Sequence, residues 1–189
     1  NQKPNSTIEF THNKNSKKDT LLFDKKGISE SWYYSRLKKK INYKNREKKL
    51  LKLLEKHRGK YGKYDCIVPG SGGKDSGYAA HILKFKYGMN PLLVTWPPIL
   101  YTSYGYKNFK NWISNGKFKS ISAKRDEYTM KILTKLSIIN LLHPFQTFIL
   151  GQKIFAVKMS IKYKIPLVFY GEHEAEHGSL PLADNYESL

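Results

Sequence analysis

A glycine-rich loop in the middle of the chain constrains its fold more than any other feature. The loop reads GSGGKDS at residues 70–76, follows the apolar run Cys66–Val68, and precedes an amphipathic stretch that ends near Tyr87. A strand, a glycine-rich turn and a helix in this order can surround an anion such as phosphate with backbone N–H groups and a helix N-terminus. The sequence therefore predicts an α/β fold that binds a nucleotide.

The order of residues separates this loop from the Walker A loop. A Walker A loop has four residues between its two glycines and a Ser or Thr directly after its lysine, whereas Asp75 follows Lys74 here. The string from Ser71 to Ser76 instead resembles the SGGxDS loop of the PP-loop ATP pyrophosphatases. That resemblance implies ATP and Mg²⁺ as cofactors. It also implies a reaction in which a substrate oxygen is adenylated, pyrophosphate leaves, and a nucleophile displaces AMP.

The residue types of the loop suit phosphate binding. Gly72 and Gly73 permit backbone angles closed to other residues, so their amides can face the β- and γ-phosphates. Lys74 can neutralise negative charge on the departing pyrophosphate, and the resemblance implies that Asp75 holds Mg²⁺. We therefore expect Lys74 and Asp75 to be catalytic. The loop residues expected to bind the nucleotide are Ser71, Gly72, Gly73, Lys74, Asp75 and Ser76.

The chain is strongly basic, but the composition of its charge weakens the case for nucleic acid. The net charge is +19, which ordinarily suggests a polyanion. The basic residues are 30 Lys and only 4 Arg, whereas the planar Arg fork is the usual tool for recognising phosphates and bases. A nucleic-acid partner is therefore a less favoured possibility that stays open.

Composition also bears on location and on cysteine chemistry. No apolar run approaches the roughly 20 residues that a membrane span needs, and the N-terminus lacks an apolar signal core, so we expect a cytoplasmic protein without a membrane span.

Cys66 is the single cysteine and lies within a predicted strand, which favours a buried, inert thiol. A glutaminase of the common type needs a catalytic cysteine, so we expect the ammonia for any amidotransfer to come from elsewhere.

Predicted strands and helices alternate after residue 58. Residues 1–20 are polar without periodicity, and leucines at 50, 51, 53 and 54 indicate an amphipathic helix over Asn45–His57. The alternation favours a parallel sheet with right-handed crossovers and helices on both faces. We expect an N-terminal extension over residues 1–58 and a nucleotide-binding domain over residues 59–189. Predicted strands cover 64–68, 91–95, 119–122 and 167–170, and predicted helices cover 76–87, 107–115, 126–135 and 147–163.

Three segments fall at the carboxyl ends of predicted strands, where ligands of parallel α/β sheets bind. They are the loop itself, Thr95–Trp96 and Gly171–Glu172. We expect Thr95, Gly171 and Glu172 to join the nucleotide site. Trp96 either stacks on adenine or the substrate, or fills the core.

Four longer strings resemble the N-acetyl sugar amidotransferase family within the PP-loop superfamily. They are YDCIVPGSGGKDS at 64–76, YGMNPLLVTW at 87–96, PFQ at 144–146 followed by GQK at 151–153, and IPLVFYGE at 165–172. The similarity runs from about Phe23 to Gly178. It implies the adenine nucleotide alpha hydrolase-like fold and a role in surface-polysaccharide or flagellin-glycan synthesis.

The resemblance implies that an acetamido group on a nucleotide-linked sugar becomes an acetamidino group. The acetamido oxygen attacks the α-phosphate of ATP, and ammonia then displaces AMP from the imidate carbon. A separate glutaminase and synthase pair is implied as the ammonia source, and Gln152 and Lys153 are implied to face the substrate. A plain helix N-terminus is the alternative for those two residues.

Two departures from the family leave other functions open. Family members commonly carry paired cysteines near the N-terminus, where this chain has Ser29 and Trp32, and they continue well beyond the strand that ends at Glu172. A truncated or degenerate, non-catalytic copy is therefore one alternative. A tRNA-modifying PP-loop enzyme is the other.

One further motif, HEAEH at residues 173–177, matches the H-E-x-x-H pattern of zinc proteases. A zinc protease places that motif on a long amphipathic helix, whereas here it follows a predicted strand end and runs into Gly178 and Pro181. We therefore interpret it as a loop beside the site.

Overall fold

The computed structural model describes Asn15 and residues 22–172, which fall into two compact units divided at the Lys52–Leu53 bond. The sequence places its domain boundary slightly later, after residue 58. Within the described residues, no helix is long and apolar enough to cross a membrane.

The described part of the first unit contains a turn and two helices. Phe23 and Ser29 form an antiparallel bridge, and the Asp24 carboxylate accepts backbone N–H groups from Lys26 at 2.8 Å and Ile28 at 2.9 Å. Helix α1 spans Glu30–Lys39 and was not predicted from the sequence. Helix α2 spans Tyr43–His57, close to the prediction, and crosses the boundary into the second unit.

The second unit contains a parallel sheet of three strands in the order β1-β2-β3. Strand β1 spans Cys66–Pro69, β2 spans Pro91–Thr95 and β3 spans Lys119–Ser122. The predicted strand at 167–170 is reduced to one parallel bridge, between Val168 and Ile67 on the free side of β1. Two backbone hydrogen bonds of 2.9 Å hold that bridge. The sequence prediction of a parallel α/β sheet is therefore confirmed, with a shorter fourth member.

Four helices accompany the sheet. Helix α3 spans Lys74–His81 and continues as a π-helical segment, Ile82–Lys86. Helices α4, α5 and α6 span Ser103–Asn115, Glu127–Leu141 and Gln146–Tyr163. Side-chain oxygens cap two of them, as helix starts require: Thr102 accepts the Gly105 N–H at 3.0 Å, and Asp126 accepts the Thr129 N–H at 2.9 Å.

Side chains alternate between the two faces of the sheet along each strand, and so the core residues fall into two groups. Side chains two residues apart point to one face of a strand, so Ile67, Leu92 and Val94 share a face, and they pack against buried residues of α6: Phe155, Ala156 and Met159. The chain runs through α3 from β1 to β2 and through α4 from β2 to β3. It then runs through α6 back across the sheet to Val168, on the free side of β1. Right-handed crossovers therefore place α6 on the face opposite α3 and α4.

A buried carboxylate joins the amino ends of the first two strands. Asp65, just before β1, accepts the Gly59 N–H at 2.6 Å and the Asn90 N–H at 2.8 Å. Its own N–H donates to the Asn90 carbonyl at 3.0 Å. Because Asp65 is 7% exposed, these bonds satisfy a charge that is otherwise costly to bury.

Candidate functional site

The glycine loop, residues 70–76, follows β1, the strand from which the chain continues to one side of the sheet and later returns to the other. Strand β1 has β2 on one side, reached through α3, and the Val168 bridge on the other, reached through α6. Open α/β sheets bind ligands in the crevice at such a point, beyond the carboxyl ends of the strands. The loop, which directly follows β1, is therefore at the position where the fold offers a binding site.

The end of β2 holds the start of the loop. The Gly70 N–H donates to the Val94 carbonyl at 3.0 Å, and the Thr95 hydroxyl donates to the Gly70 carbonyl at 2.7 Å. Thr95 is fully buried. Its hydroxyl is thus committed to positioning the loop, a more specific role than the nucleotide contact that the sequence suggested.

The two central glycines of the loop differ in their surroundings. Gly72 has φ +94°, and a Cβ added there would lie 2.7 Å from the Cα of Phe109 in α4. Gly73 would meet nothing within 4 Å. The loop therefore rests on the backbone of α4 at Gly72, whereas the Cβ direction at Gly73 is open.

The N-terminus of α3 has no side-chain cap. Gly73 is the N-cap residue, with an extended backbone at φ −70° and ψ 158°. The Ser76 hydroxyl donates to the Gly73 carbonyl at 3.2 Å and so caps none of the N–H groups. The first N–H groups of a helix attract anions, and here no described side chain caps them.

Two charged side chains accompany this helix start. The Lys74 ammonium lies 3.9 Å from an Asp75 carboxylate oxygen, and the Lys74 side chain is 91% exposed. Such an exposed pair contributes little to stability. The lysine therefore has the freedom to reach an anion bound in front of the loop.

Gly171 packs directly against the loop from the far side of β1. A Cβ at Gly171 would lie 2.6 Å from the carbonyl carbon of Asp75 and 2.7 Å from the Cα of Ser76. Only glycine allows two backbones to approach so closely. The structure thus brings Gly171, and with it the neighbouring exposed Glu172, to the predicted site.

Trp96 joins the end of β2 to α6. Its indole packs against the backbone of Gly151, and its ring centroid lies 5.9 Å from that of Phe155. The indole Nε1 is buried without a hydrogen-bond partner in the described part of the chain. Gln152 and Lys153, the next residues of α6, are exposed, so the predicted substrate residues lie beside Trp96 and its half-buried ring.

A cleft that the sequence did not indicate lies between the segment after β2 and helix α5. Its volume is about 590 Å³. Ile99 and Leu100, which follow β2, line it together with α5 and with Arg125 in front of that helix. The walls are largely apolar and carry three cations, Arg125, Lys131 and Lys135, against one acidic residue, Glu127. Such a surface suits a ligand with both an apolar part and negative charge.

An aromatic contact links the cleft region to the glycine loop. Tyr101, just after Leu100, stacks on Phe109 with ring centroids 5.9 Å apart, and the backbone of Phe109 supports Gly72. Burial raises the pKa of the Tyr101 hydroxyl above its ordinary value. The hydroxyl is buried without a partner among the described residues.

Metal binding by protein ligands alone is not indicated. The described residues contain no group of three or more His, Cys, Asp or Glu side chains that could hold a metal ion. The Asp75 carboxylate adjoins the helix start, and Glu172 follows Gly171, which packs against it. That donor set fits Mg²⁺, which is commonly bound through one or two carboxylates together with substrate phosphates.

Two other sequence predictions concern Cys66 and the HEAEH motif. Cys66 is fully buried, and burial raises the pKa of its thiol to about 12. The prediction of a buried thiol is confirmed, and a thiolate nucleophile at this position is excluded at neutral pH. The HEAEH motif, residues 173–177, lies outside the described residues.

Comparison with known proteins gives one short similarity. No protein-family model matches the chain. The chain is 41% identical over 58 residues to the uncharacterized protein MJ1599 of Methanocaldococcus jannaschii. The matched stretch covers 31% of this chain and 21% of that protein, so the chain spans about a fifth of the length of this curated relative. The similarity assigns no activity.

Proposed function

We propose that the chain is an ATP-dependent amidotransferase of the PP-loop class that acts on an N-acetyl sugar. The observation that carries the proposal is the glycine loop at the reversal of strand order, followed by an uncapped helix start and the exposed Lys74. The loop sequence, with Asp75 after Lys74, supports ATP cleavage between the α- and β-phosphates rather than Walker-type chemistry.

The loop residues have distinct roles in this proposal. Backbone N–H groups at the start of α3 bind the β- and γ-phosphates, which become pyrophosphate. Lys74 neutralises charge on the departing pyrophosphate. Asp75 holds Mg²⁺ that arrives with the nucleotide, and the ion supplies charge neutralisation when bound. Thr95 and Gly171 act through the loop backbone and keep it in position.

The proposed reaction has two steps. The acetamido oxygen forms a bond to the α-phosphorus of ATP while the α–β phosphoanhydride bond breaks, which gives an O-adenylyl imidate and pyrophosphate. Ammonia then forms a bond to the imidate carbon, the C–O bond breaks, and AMP leaves. Amide carbonyls are poor electrophiles, so adenylation supplies the leaving group that the second step needs.

Two features support an acceptor beside the loop. Trp96 packs at the end of β2 next to Gln152 and Lys153, and the cleft near Leu100 combines apolar walls with three cations. A sugar linked to a nucleoside diphosphate carries the negative charge that such cations attract. We assign the acceptor to this side of the sheet, with ammonia supplied by a separate glutaminase and synthase pair.

The position of ATP cleavage tests the proposal. The chain is incubated with Mg²⁺-ATP, ammonium and nucleotide-linked N-acetyl sugars, and the products are separated by ion-exchange chromatography. The proposal predicts AMP and pyrophosphate, with product formation lost in Lys74→Ala and Asp75→Asn. Formation of ADP and phosphate by the wild type would contradict it.

A further inference from the structure

Helix α6 has a second apolar face in addition to the one that packs on the sheet. Phe155, Ala156 and Met159 are buried against the sheet. On the opposite side, a line of four aliphatic residues points outward. We call this line the outer stripe; its members are Leu150, Ile154, Val157 and Ile161.

The outer stripe is well exposed in the structure. The exposed fraction is 43% for Leu150, 62% for Ile154, 53% for Val157 and 73% for Ile161. Single exposed apolar residues need no explanation, but contiguous ones mark interaction surfaces. The stripe is contiguous, because all four side chains lie within one narrow sector of the helix.

The spacing of the stripe is that of a coiled-coil seam. Its members are four, three and four residues apart, which is the alternation of the a and d positions of a heptad. Ile154 and Ile161 take the a positions, and Leu150 and Val157 take the d positions. β-branched residues at a with Leu at d are typical of helices that pair in twos, and every position of the stripe except Val157 matches that pattern. The partner that fits this stripe is one further helix.

The charges beside the stripe specify the partner's chemistry. Lys158, which is exposed, lies about 70° from the centre of the stripe, as 3.6 residues per turn requires. Across residues 127–163, which contain α5 and α6, there are five Lys and one acidic residue, Glu127. Flanking positions of paired helices set partner choice by opposite charge. A second copy of this chain would place lysines opposite lysines.

The shape of the stripe also favours a helix over a membrane surface. Helices that lie on membranes present a wide apolar face, commonly with Trp or Phe, whereas this stripe is narrow and entirely aliphatic. A narrow a/d stripe is the form of a coiled-coil seam. Because α6 is already folded against the sheet, its own ordering adds no cost to binding.

We infer that the outer stripe of α6 docks an amphipathic helix of another protein, whose apolar a/d seam is flanked by Asp or Glu. This inference is independent of the proposed enzymatic function, since the stripe lies on the side of α6 away from the sheet. It assigns a protein-interaction surface to this helix.

Designed peptides test the inference with the full chain. Two helical peptides share Leu and Ile at the a and d positions, and one has Glu and the other Lys at the flanking e and g positions. Their affinities are measured by fluorescence anisotropy. The Glu-flanked peptide is expected to bind at least about tenfold more tightly, a difference of about 1.4 kcal/mol. Equal binding of both peptides, or binding of neither, would overturn the inference.

Variants of the chain locate the surface. Ile154→Lys and Ile161→Lys should abolish binding of the Glu-flanked peptide, whereas Tyr104→Lys, at an exposed aromatic of α4 on the other face of the sheet, should leave it unchanged. Lys158→Glu should shift the preference toward the Lys-flanked peptide. Circular dichroism confirms that each variant is folded, so that a loss of binding is not a loss of structure.

Two measurements test whether a second copy of this chain or a membrane, instead of a partner helix, covers the outer stripe. Sedimentation equilibrium should show a monomer, and a dimer that Ile154→Lys disrupts would replace the partner helix with a second copy. Vesicles of phosphatidylcholine and phosphatidylserine should not bind the chain through this stripe. Vesicle binding that Ile154→Lys abolishes, without discrimination between the two peptides, would overturn the inference in favour of a membrane surface.

Discussion

The hydroxyl of Thr95 donates a 2.7 Å hydrogen bond to the carbonyl of Gly70. This bond joins the last residue of β2 to the first residue of the glycine loop. The neighbouring bond between the Gly70 N–H and the Val94 carbonyl runs in the opposite direction at 3.0 Å. Together they fix where the loop leaves the sheet, so the loop's geometry depends on a strand that is distant in sequence.

Replacement of Thr95 by Val tests this tether. Valine has nearly the same shape but lacks the hydroxyl, so the Gly70 carbonyl loses its donor and the free energy of unfolding should fall by about 1–3 kcal/mol. Thr95→Ser keeps the donor and should retain the bond. Urea unfolding measures stability, and calorimetry measures Mg²⁺-ATP affinity. Equal ATP affinities for the Val and Ser variants would contradict a positioning role.

The glycine loop itself offers a comparison between adjacent residues. Gly72→Ala places a Cβ against the backbone of Phe109 at φ +94°, and we expect it to lower stability by about 1–3 kcal/mol. Gly73→Ala places its Cβ in open space, so stability should change by no more than about 1 kcal/mol. On the proposed function that space is where phosphate binds, and Mg²⁺-ATP affinity should fall nevertheless.

The matched control for these variants is Gly77→Ala in α3. Its Cβ would make an ordinary contact with Trp112 at 3.9 Å, and Ala in a helix interior should raise stability by about 0.5–1 kcal/mol. If Gly73→Ala binds Mg²⁺-ATP as tightly as this control does, the phosphates do not bind in front of the loop, and this part of the proposal is contradicted.

Asp65 should matter for stability and not for nucleotide binding. Asp65→Ala leaves the N–H groups of Gly59 and Asn90 without their acceptor, and we expect a loss of about 2–4 kcal/mol in the free energy of unfolding. Asp65 precedes β1, at the end of the sheet away from the glycine loop, so the folded variant should bind Mg²⁺-ATP as the wild type does. Denaturant unfolding and calorimetry below the unfolding midpoint measure the two quantities. A variant as stable as the wild type would show that these hydrogen bonds contribute nothing.

Cys66 predicts a specific dependence of stability on alkaline pH. Burial, followed by the adjacent Asp65 carboxylate, raises the pKa of its thiol from the usual 9.0 to about 12. Between these values the unfolded thiol releases its proton while the folded thiol keeps it, so stability falls as the pH rises. The slope approaches about 1.4 kcal/mol per pH unit. More than about one pH unit below 9.0 both states are protonated and the effect vanishes.

A Cys66→Ala variant isolates that contribution, because it retains every other titrating group. The difference in unfolding free energy between wild type and variant should be constant well below pH 9 and change in the variant's favour as the pH rises through 9. Parallel loss of stability in both proteins would show that the thiol titrates alike in the folded and unfolded states.

The sheet was predictable from the sequence, because local patterns determine it. A short apolar run bounded by turn residues gave β2, and the predicted strands β2 and β3 both have the bounds that the structure has. Helix starts were harder to predict. Helix α4 begins at Ser103 because Thr102 caps it, and the periodicity of apolar residues did not reveal this cap. Helix α1 was missed because its aromatic and basic residues lack a clear apolar period.

Contacts between segments that are distant in sequence account for the other features that the sequence did not predict. The loop composition predicted a phosphate site, but the approach of Gly171 to Asp75 depends on how the chain returns past β1. The cleft near Leu100 was missed because its walls come from a loop and from one side of α5. The outer stripe of α6 was visible in the sequence as apolar residues, but only burial in the fold separates it from the face packed on the sheet.

Mass analysis of the sugar product tests the central proposal most directly. The chain is incubated with Mg²⁺-ATP, ammonium and a panel of nucleotide-linked N-acetyl sugars, and sugar mass and AMP are measured together. The account predicts sugar-dependent AMP release and a product lighter by one mass unit, because NH replaces O, with both lost in Lys74→Ala. AMP release that no sugar stimulates but tRNA does, or a sugar unchanged in mass, would contradict it.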